Sequence, residues 1–356
     1  MDNTKKFIDK ILNIDITDYK IYLVCNVKGK TTTKNTNYEK LVESEYLSEE
    51  EFEEFLYACQ DYGLYTVPFF YVEDFISEIK NNPFKVLILE TSQRGVGRAR
   101  DSLIPAICDL HNIIYSGCNA YVNAICSNKY HWTKILEAHN ICVPPSFKWL
   151  ESDKWLIENT LINDPYIIKP IYECASIGIT KDSVTNNKKE IEYCARKLQK
   201  KMHQPLIIQR FIEGYEVEVP VIATKNKCIV LPPVGIKRNN SKKLGKDFLS
   251  YDIVYDDNYS FYMFSEVSKK ICLQIEKICK HIVNILDLEG YLRMDFRIDS
   301  NNNIYIFDIN PYPHIVKHSS FSFSFRNMGY SSDQLIIFIL KLAKYRFNNQ
   351  TKSVIR

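Results

Sequence analysis

Residues 290–310 constrain the chain more than any other stretch. Gly290-Tyr-Leu-Arg-Met-Asp-Phe-Arg-Ile-Asp299 and Asn303-Ile-Tyr-Ile-Phe-Asp-Ile-Asn-Pro311 each alternate apolar with polar or charged residues, the period of a half-buried strand. Between them, Ser300-Asn-Asn-Asn303 has the composition of a hairpin loop. If that loop closes with Asp299 facing Ile304, Asp295 lies opposite Asp308 and Arg293 opposite Asn310. Leu292, Met294, Phe296 and Ile298 then fill the other face. Two carboxylates directly across a ladder repel, so stability alone does not favour the pairing. A divalent cation between them removes the objection, and oxygen ligands from Asp, Asp and Asn suit magnesium. The spacing by itself is equally compatible with a solvated strand face carrying incidental charge.

Composition narrows the class. A chain of 356 residues can hold two or three compact units. The net charge of +3 is spread along the sequence, whereas a nucleic-acid footprint is a concentrated basic face. No apolar run reaches the length of a membrane span, and Met1-Asp-Asn-Thr-Lys-Lys-Phe-Ile lacks the apolar core of a signal peptide. The eleven cysteines form no Cys-x-x-Cys pair; most sit among apolar neighbours and read as small buried hydrophobes in a reducing compartment. The expected location is cytoplasmic, without nucleic-acid or membrane partners. No internal repeat or low-complexity segment is visible.

Along the chain, strands and helices alternate. Lys20–Asn26 and Lys85–Glu90 read as buried strands, with Tyr65–Phe70 extended between them. Ser48-Glu-Glu-Glu51 forms a capping box that opens a helix to about Tyr62, closed by Gly63. Such alternation implies a small parallel sheet flanked by helices. The loop Thr91–Arg100 leaves the carboxyl end of a strand, where ligands of open α/β sheets bind. Its Arg94, Arg98 and Arg100 offer planar forks for a carboxylate or phosphate; solvated arginines are the plain alternative. Asn128–Asn140 is a helix ended by Val143-Pro-Pro, Pro165–Pro170 a buried strand, and Pro205–Val219 two strands joined at Glu213-Gly214. Lys242–Tyr262 is polar and weakly periodic and reads as a long loop. Helices follow at Glu266–Leu286 and Asp333–Tyr345.

Gly290-Tyr-Leu-Arg-Met-Asp-Phe-Arg, Phe307-Asp-Ile-Asn-Pro and His318-Ser-Ser together resemble the metal-binding core of the ATP-grasp superfamily, nearest to its D-alanine–D-alanine ligase branch. The resemblance runs from about Lys85 to Leu342. It implies an α/β and α+β fold: ATP-grasp architecture with an N-terminal parallel-sheet domain and two ATP-clamping lobes. Residues 1–120 would form the N-terminal α/β domain, 121–209 the central lobe with a phosphate-binding lid, and 210–356 the C-terminal lobe with a magnesium site. The implied chemistry is ATP-dependent joining of a small carboxylate to an amine through an acyl phosphate, releasing ADP and phosphate; a homodimer is compatible with it.

Carried over residue by residue, the resemblance assigns ATP phosphates to Lys129 and Lys169. The lid falls on Glu173, Ser176 and Gly178, with backbone N–H groups aimed at phosphate oxygens. Gln209, Phe211 and Ile212 would meet the purine and Glu216 the ribose. Asp295, Asp308 and Asn310 would hold two magnesium ions, or manganese in their place. Arg293 would face the tetrahedral oxyanion, Ser319 the acceptor carboxylate, and Tyr255 an aromatic place in the closing loop.

Four substrate-side positions depart from the family pattern. Ala175 stands where a serine is usual, Val254 where a lysine is, and His314 where a glycine supplies a backbone donor. The loop after the first strand, Val24–Thr33, carries no carboxylate before Glu39. With Arg94, Arg98 and His314 taken as substrate contacts, these departures lead to the expectation of an acid other than D-alanine. D-alanine–D-alanine ligation proper is the alternative, and a non-catalytic ATP-binding protein a third.

Overall fold

The computed structural model describes residues 2–32, 42–81, 85–91, 98–156 and 164–354. In the first part, α1 (Asp2–Leu12), β1 (Lys20–Val24), α2 (Glu49–Asp61), β2 (Thr66–Phe69), α3 (Val72–Asn81), β3 (Val86–Glu90), α4 (Leu103–Leu110) and β4 (Ile114–Tyr115) alternate as the sequence predicts. The four strands form one sheet in the order β2-β1-β3-β4, every pair parallel. Ile21–Val24 and Val86–Glu90 are buried on both faces, which explains their unbroken apolar runs. The capping box at α2 is complete: Ser48 Oγ accepts from Glu51 N, and Glu51 Oε2 accepts from Ser48 N at 2.8 Å.

Next come α5 (Ala120–Cys126), α6 (Lys129–Ala138), β5 (Ser146–Trp149), β6 (Tyr166–Pro170), β7 (Val184–Thr185), α7 (Lys188–Met202) and β8 (Leu206–Arg210). Their strands make an antiparallel sheet, β5-β8-β6-β7. Asn128 caps α6, its amide oxygen accepting from His131 N at 3.0 Å.

The last part holds β9 (Tyr215–Thr224), β10 (Lys227–Val230), β11 (Val234–Lys237), α8 (Tyr251–Tyr255), β12 (Ser260–Met263), α9 (Lys269–Ile285), β13 (Gly290–Ile298), β14 (Ile304–Asn310), α10 (Ser320–Asn327) and α11 (Ser332–Val354). Here the sheet is β12-β11-β9-β13-β14, with β10 also on β9. Gly290 sits at φ +125, where a Cβ would lie 2.7 Å from Cys118 Sγ and Gly117 O. Only glycine lets the start of β13 press against that loop.

The stretch Lys242–Tyr262 is not the continuous loop expected from its polarity. It contains the five-residue helix α8 and most of β12. Ile253 is buried and Tyr251 and Tyr255, one turn apart, stack at 6.0 Å. A helix this short shows no readable period, and β12 takes its order from β11, where Gly235 leaves room for the Tyr262 ring.

Packing crosses the expected divisions. Trp132 and Leu136 of α6 share a core with the β9-β13-β14 sheet. Leu335–Ala343 of α11 pack with Phe52, Phe55 and Leu23 of the first sheet layer. As a partition of the sheets, 1–120, 121–209 and 210–356 stands as a proposal, with one sheet in each. No helix among the described residues is long and apolar enough to cross a membrane.

Candidate active site

The β13–β14 hairpin sets the floor of the site. Arg293 pairs with Asn310 and Asp295 with Asp308, but beyond them the register slips by one: Phe296 faces Ile306 and Ile298 faces Ile304. Phe307 is the extra residue of a β-bulge. Strict alternation would put Asp308 on the same face as Ile304 and Ile306. The bulge leaves those two isoleucines in the core and turns Phe307, Asp308 and Asn310 to the other side. The expected register is thus correct at the carboxylates and off by one near the turn, where Asp299 N bonds Asn303 O at 3.1 Å instead of facing Ile304.

On the other flank β9 brings Glu218 beside Asp295 and Glu216 beside Arg297. Arg293 Nε and Nη2 each donate to Asp295 at 2.8 Å, and Nη1 lies 3.2 Å from Glu218 Oε2. Lys129 Nζ donates to both oxygens of Asp308, at 2.7 and 2.9 Å. Lys169 Nζ donates to Gln209 Oε1 at 2.8 Å and sits 5.4 Å above the Phe307 ring. Arg297 donates to Glu216 and lies over Phe211. Glu216, Glu218, Asp295 and Asp308 thus face Arg293, Arg297, Lys129 and Lys169 around one cavity of about 430 Å³.

The electrostatics follow from burial and these pairings. Burial pushes Asp295 up to about 7, with Arg293 opposing and Glu218 adding to the rise. Burial also works to raise Asp308, but Lys129 and Lys169 outweigh it and hold that carboxyl below its usual value. Burial alone would lower Lys129, whereas Asp308 carries it above its ordinary value. Among the described residues no carboxylate contacts Lys169, so burial brings it down to about 8 against the pull of Asp308. Burial raises Glu216 despite Arg297.

Magnesium fits this donor set. Asp295, Asp308 and Asn310 present hard oxygens on one face, and two abutting carboxylates need a counter-charge. Among the described residues no three His, Cys, Asp or Glu side chains converge as ligands; both carboxylates are turned to their own cations. Divalent ions bound with a polyphosphate would exchange partners with these groups without a large change in net charge. The carboxylates would turn from Arg293 and Lys129 to metal, and the cations to phosphate oxygens.

Several expected residues meet around the cavity: Ser176, Phe211, Ile212, Tyr255, His314 and Ser319 line it with the groups above. Ser319 Oγ donates to Val316 O at 2.8 Å and accepts from Ser322 N at 3.1 Å, capping α10. Tyr255 stands at the mouth, with Lys28 Nζ 5.8 Å from its ring. Burial lowers His314, with Glu51 opposing and Arg293 and Lys28 reinforcing.

Other expectations change. Gln209 lines the cavity, and its side-chain amide is held between Lys169 and Ser146, whose Oγ accepts from Nε2 at 3.0 Å. Gly178 is not in the cavity lining; its φ of +80, and the 3.0 Å from an added Cβ to Pro170 Cγ, account for the glycine. Arg98 faces solvent and pairs with Glu151 at 2.7 Å, away from the cavity lining. Arg94 lies outside the described residues, as does Glu39. Reading the sequence missed Glu218, Arg297 and Phe307. The alternation Glu216-x-Glu218 matches that of Arg293-x-Asp295-x-Arg297, a signal visible only once the two strands are taken as neighbours. It missed Glu45 and Glu51 as well, which reach the cavity from before and within α2.

A family profile described as D-ala D-ala ligase C-terminus matches residues 139–341. The chain belongs to that family. A D-alanine–D-alanine ligase of Clostridium beijerinckii is 27% identical over 279 residues, 76% of this chain and 86% of its own length. That of Mannheimia succiniciproducens is 23% identical over 281 residues, 75% of this chain and 83% of its own. Among solved structures, the Bacillus anthracis D-alanine–D-alanine ligase complexed with ATP superposes with a TM-score of 0.68 at 16% identity, covering 93% of this chain and 99% of that one. The VanG D-Ala:D-Ser ligase of Enterococcus faecalis gives 0.64 at 16%, covering 92% and 99%. The fold is therefore ATP-grasp, and the family consists of ADP-forming carbon–nitrogen ligases that use ATP and magnesium.

Proposed function

We propose that this protein joins two amino acids by an ATP-dependent ligation, with D-alanine the best-supported substrate at both positions. The observation that carries the reading is Arg293 on the cavity floor, flanked by Asp295 and Glu218 and one strand from the Asp308–Lys129 pair. A protein that only held nucleotide has no need of a fixed guanidinium there.

In this reading Lys129 and Lys169 bind the phosphates, Glu216 the ribose, and the backbone of 210–212 the purine. Asp295, Asp308 and Asn310 would hold magnesium, which supplies charge neutralisation at the transferring phosphoryl. A donor carboxylate oxygen bonds to the γ-phosphorus as ADP leaves, giving an acyl phosphate; the acceptor amine, deprotonated to water, then bonds to the acyl carbon and phosphate departs. Arg293 meets the oxyanion of that second step. The acceptor carboxylate sits at the amino end of α10, where Ser319 and Ser320 line the cavity and the helix dipole favours an anion.

The expectation of a different acid leaned on free arginines and a missing carboxylate. Arg98 and Arg100 are engaged by Glu151 and Glu173, while Glu45 and Glu51 line the cavity and can meet an ammonium. These observations move the balance toward an amino-acid donor, in agreement with the names of the relatives. A second reading, a related ligase for another acid, keeps one specific support: Ala175, Val254 and His314 all line the cavity, and each departs from the family pattern. The test is ADP release and product mass with magnesium, ATP and D-alanine alone, beside a panel of acids and amines. D-alanyl-D-alanine as the fastest product supports the first reading; a faster product from another acid replaces it with the second.

A further inference from the structure

Arg100, past the described end of β3, reaches across to the root of the phosphate lid. Arg100 Nη2 donates to Tyr172 O at 2.7 Å and to Glu173 Oε2 at 3.2 Å. Gln204 completes the arrangement: its Nε2 donates to Glu173 Oε1 at 2.6 Å, and its Oε1 accepts from Tyr172 N at 2.9 Å. The Tyr172–Glu173 segment is therefore held at its N–H, its carbonyl and both carboxylate oxygens. Arg100 and Glu173 are both buried, at 9% and 1% side-chain exposure, so the pair is little screened by water. Arg98 adds a guanidinium 5.5 Å over the Tyr172 ring. Beyond this root the lid carries backbone strain at two residues and is tied by its own turn bonds, Ile177 N to Cys174 O and Ile179 N to Ser176 O, each at 2.9 Å. Ala175 and Ser176 take φ +47 and +55 without being glycine, and Ser176 Oγ donates to Leu249 O at 2.7 Å.

We propose that Arg100 is a positioning residue that fixes the root of the lid from the first sheet, so that the lid closes over nucleotide from a preset geometry. Arg100 is then an inter-sheet strap and not a receptor for the donor's carboxylate. A planar fork suits this place, because one guanidinium satisfies a carbonyl and a carboxylate together; a lysine would make one of these bonds at a time.

This rests on reading residues 172–178 as a nucleotide lid, and the test separates the two claims. Binding of magnesium and a non-hydrolysable ATP analogue is measured by calorimetry on the full chain, with hydrogen exchange followed at 172–178. A wild type that binds no analogue overturns the lid reading. Given binding, Arg100→Lys should weaken it roughly tenfold, the scale of one charge-assisted bond, and speed exchange at 172–178 in the analogue complex. Arg100→Gln with Glu173→Gln should recover part of the affinity lost by Arg100→Gln alone, since no charge is left buried without a partner. Arg100→Lys that lowers only the melting temperature, with affinity and lid exchange unchanged, overturns the strap.

Discussion

Asp308 and Lys169 face the same nucleotide site with opposite titration behaviour, and each carries its own prediction. Asp308 is kept ionised by two lysines, so Asp308→Asn removes a metal ligand and leaves Lys129 without its partner. Turnover should fall by at least about a hundredfold, several kcal/mol at the transition state. The chain should still fold, because Asp308 retains contact with water and the full cost of breaking a buried pair does not apply; steady-state ADP release and circular dichroism check both. Lys169 is depressed to about 8 from 10.5. Between those values the unfolded chain binds the proton and the folded one does not, so this group adds stability as pH rises through the window. Phosphate oxygens require the charged form, so affinity for the ATP analogue should fall with pH above about 8, approaching tenfold per unit. Calorimetry from pH 7 to 9.5 reads it. Lys169→Gln should bind weakly with this pH dependence gone, while Lys134→Ala, a surface lysine paired with Glu137, should behave as wild type.

At the scale of an element, the β13–β14 hairpin shows what a sequence can and cannot specify. Its two strands, their loop and the facing of Asp295 with Asp308 are legible, because alternation and loop composition are local properties. The bulge is not: either register keeps the carboxylates paired, and only the demand that Ile304 and Ile306 enter the core selects the extra residue. That extra residue puts an aromatic ring beneath Lys169. A cation over such a face gains about 0.5–2 kcal/mol. Phe307→Leu keeps the apolar volume and removes the ring quadrupole, so it should lower the Lys169 pKa further and weaken the ATP analogue several-fold at pH 8. Unchanged affinity across the same pH series would mean the ring only fills space. Likewise α8 escaped notice because five residues carry no usable period; it is fixed by the burial of Ile253 and by Tyr251 N donating to Ile179 O at 2.9 Å.

At the scale of the molecule, the parallel first sheet was legible from strand–helix alternation, and the two ATP-clamping lobes from the resemblance to ATP-grasp proteins. What was not legible is which distant pieces meet, since α11 packs on the first sheet layer and the start of α2 reaches a cavity floored by β13 and β14. That long-range meeting decides the substrate. Glu51 gives one oxygen to the α2 cap, and its carboxylate acts on His314 across the cavity wall; Glu45 lines the same wall. An amino-acid donor brings an ammonium that these carboxylates can meet, whereas a des-amino acid brings nothing to offset their charge. Glu51→Gln preserves the capping box, since glutamine can accept at that position, and removes only the charge. If the donor is an amino acid, Glu51→Gln and Glu45→Gln together should raise its KM at least about tenfold and leave the affinity for the ATP analogue unchanged, one charge-assisted bond being worth roughly 1.5–3 kcal/mol. Wild type should also release ADP far faster with D-alanine than with propionate as donor. Equal rates with the two acids, or a double variant with the donor KM of wild type, would remove the ammonium from this wall and return the choice of acid to Ala175, Val254 and His314.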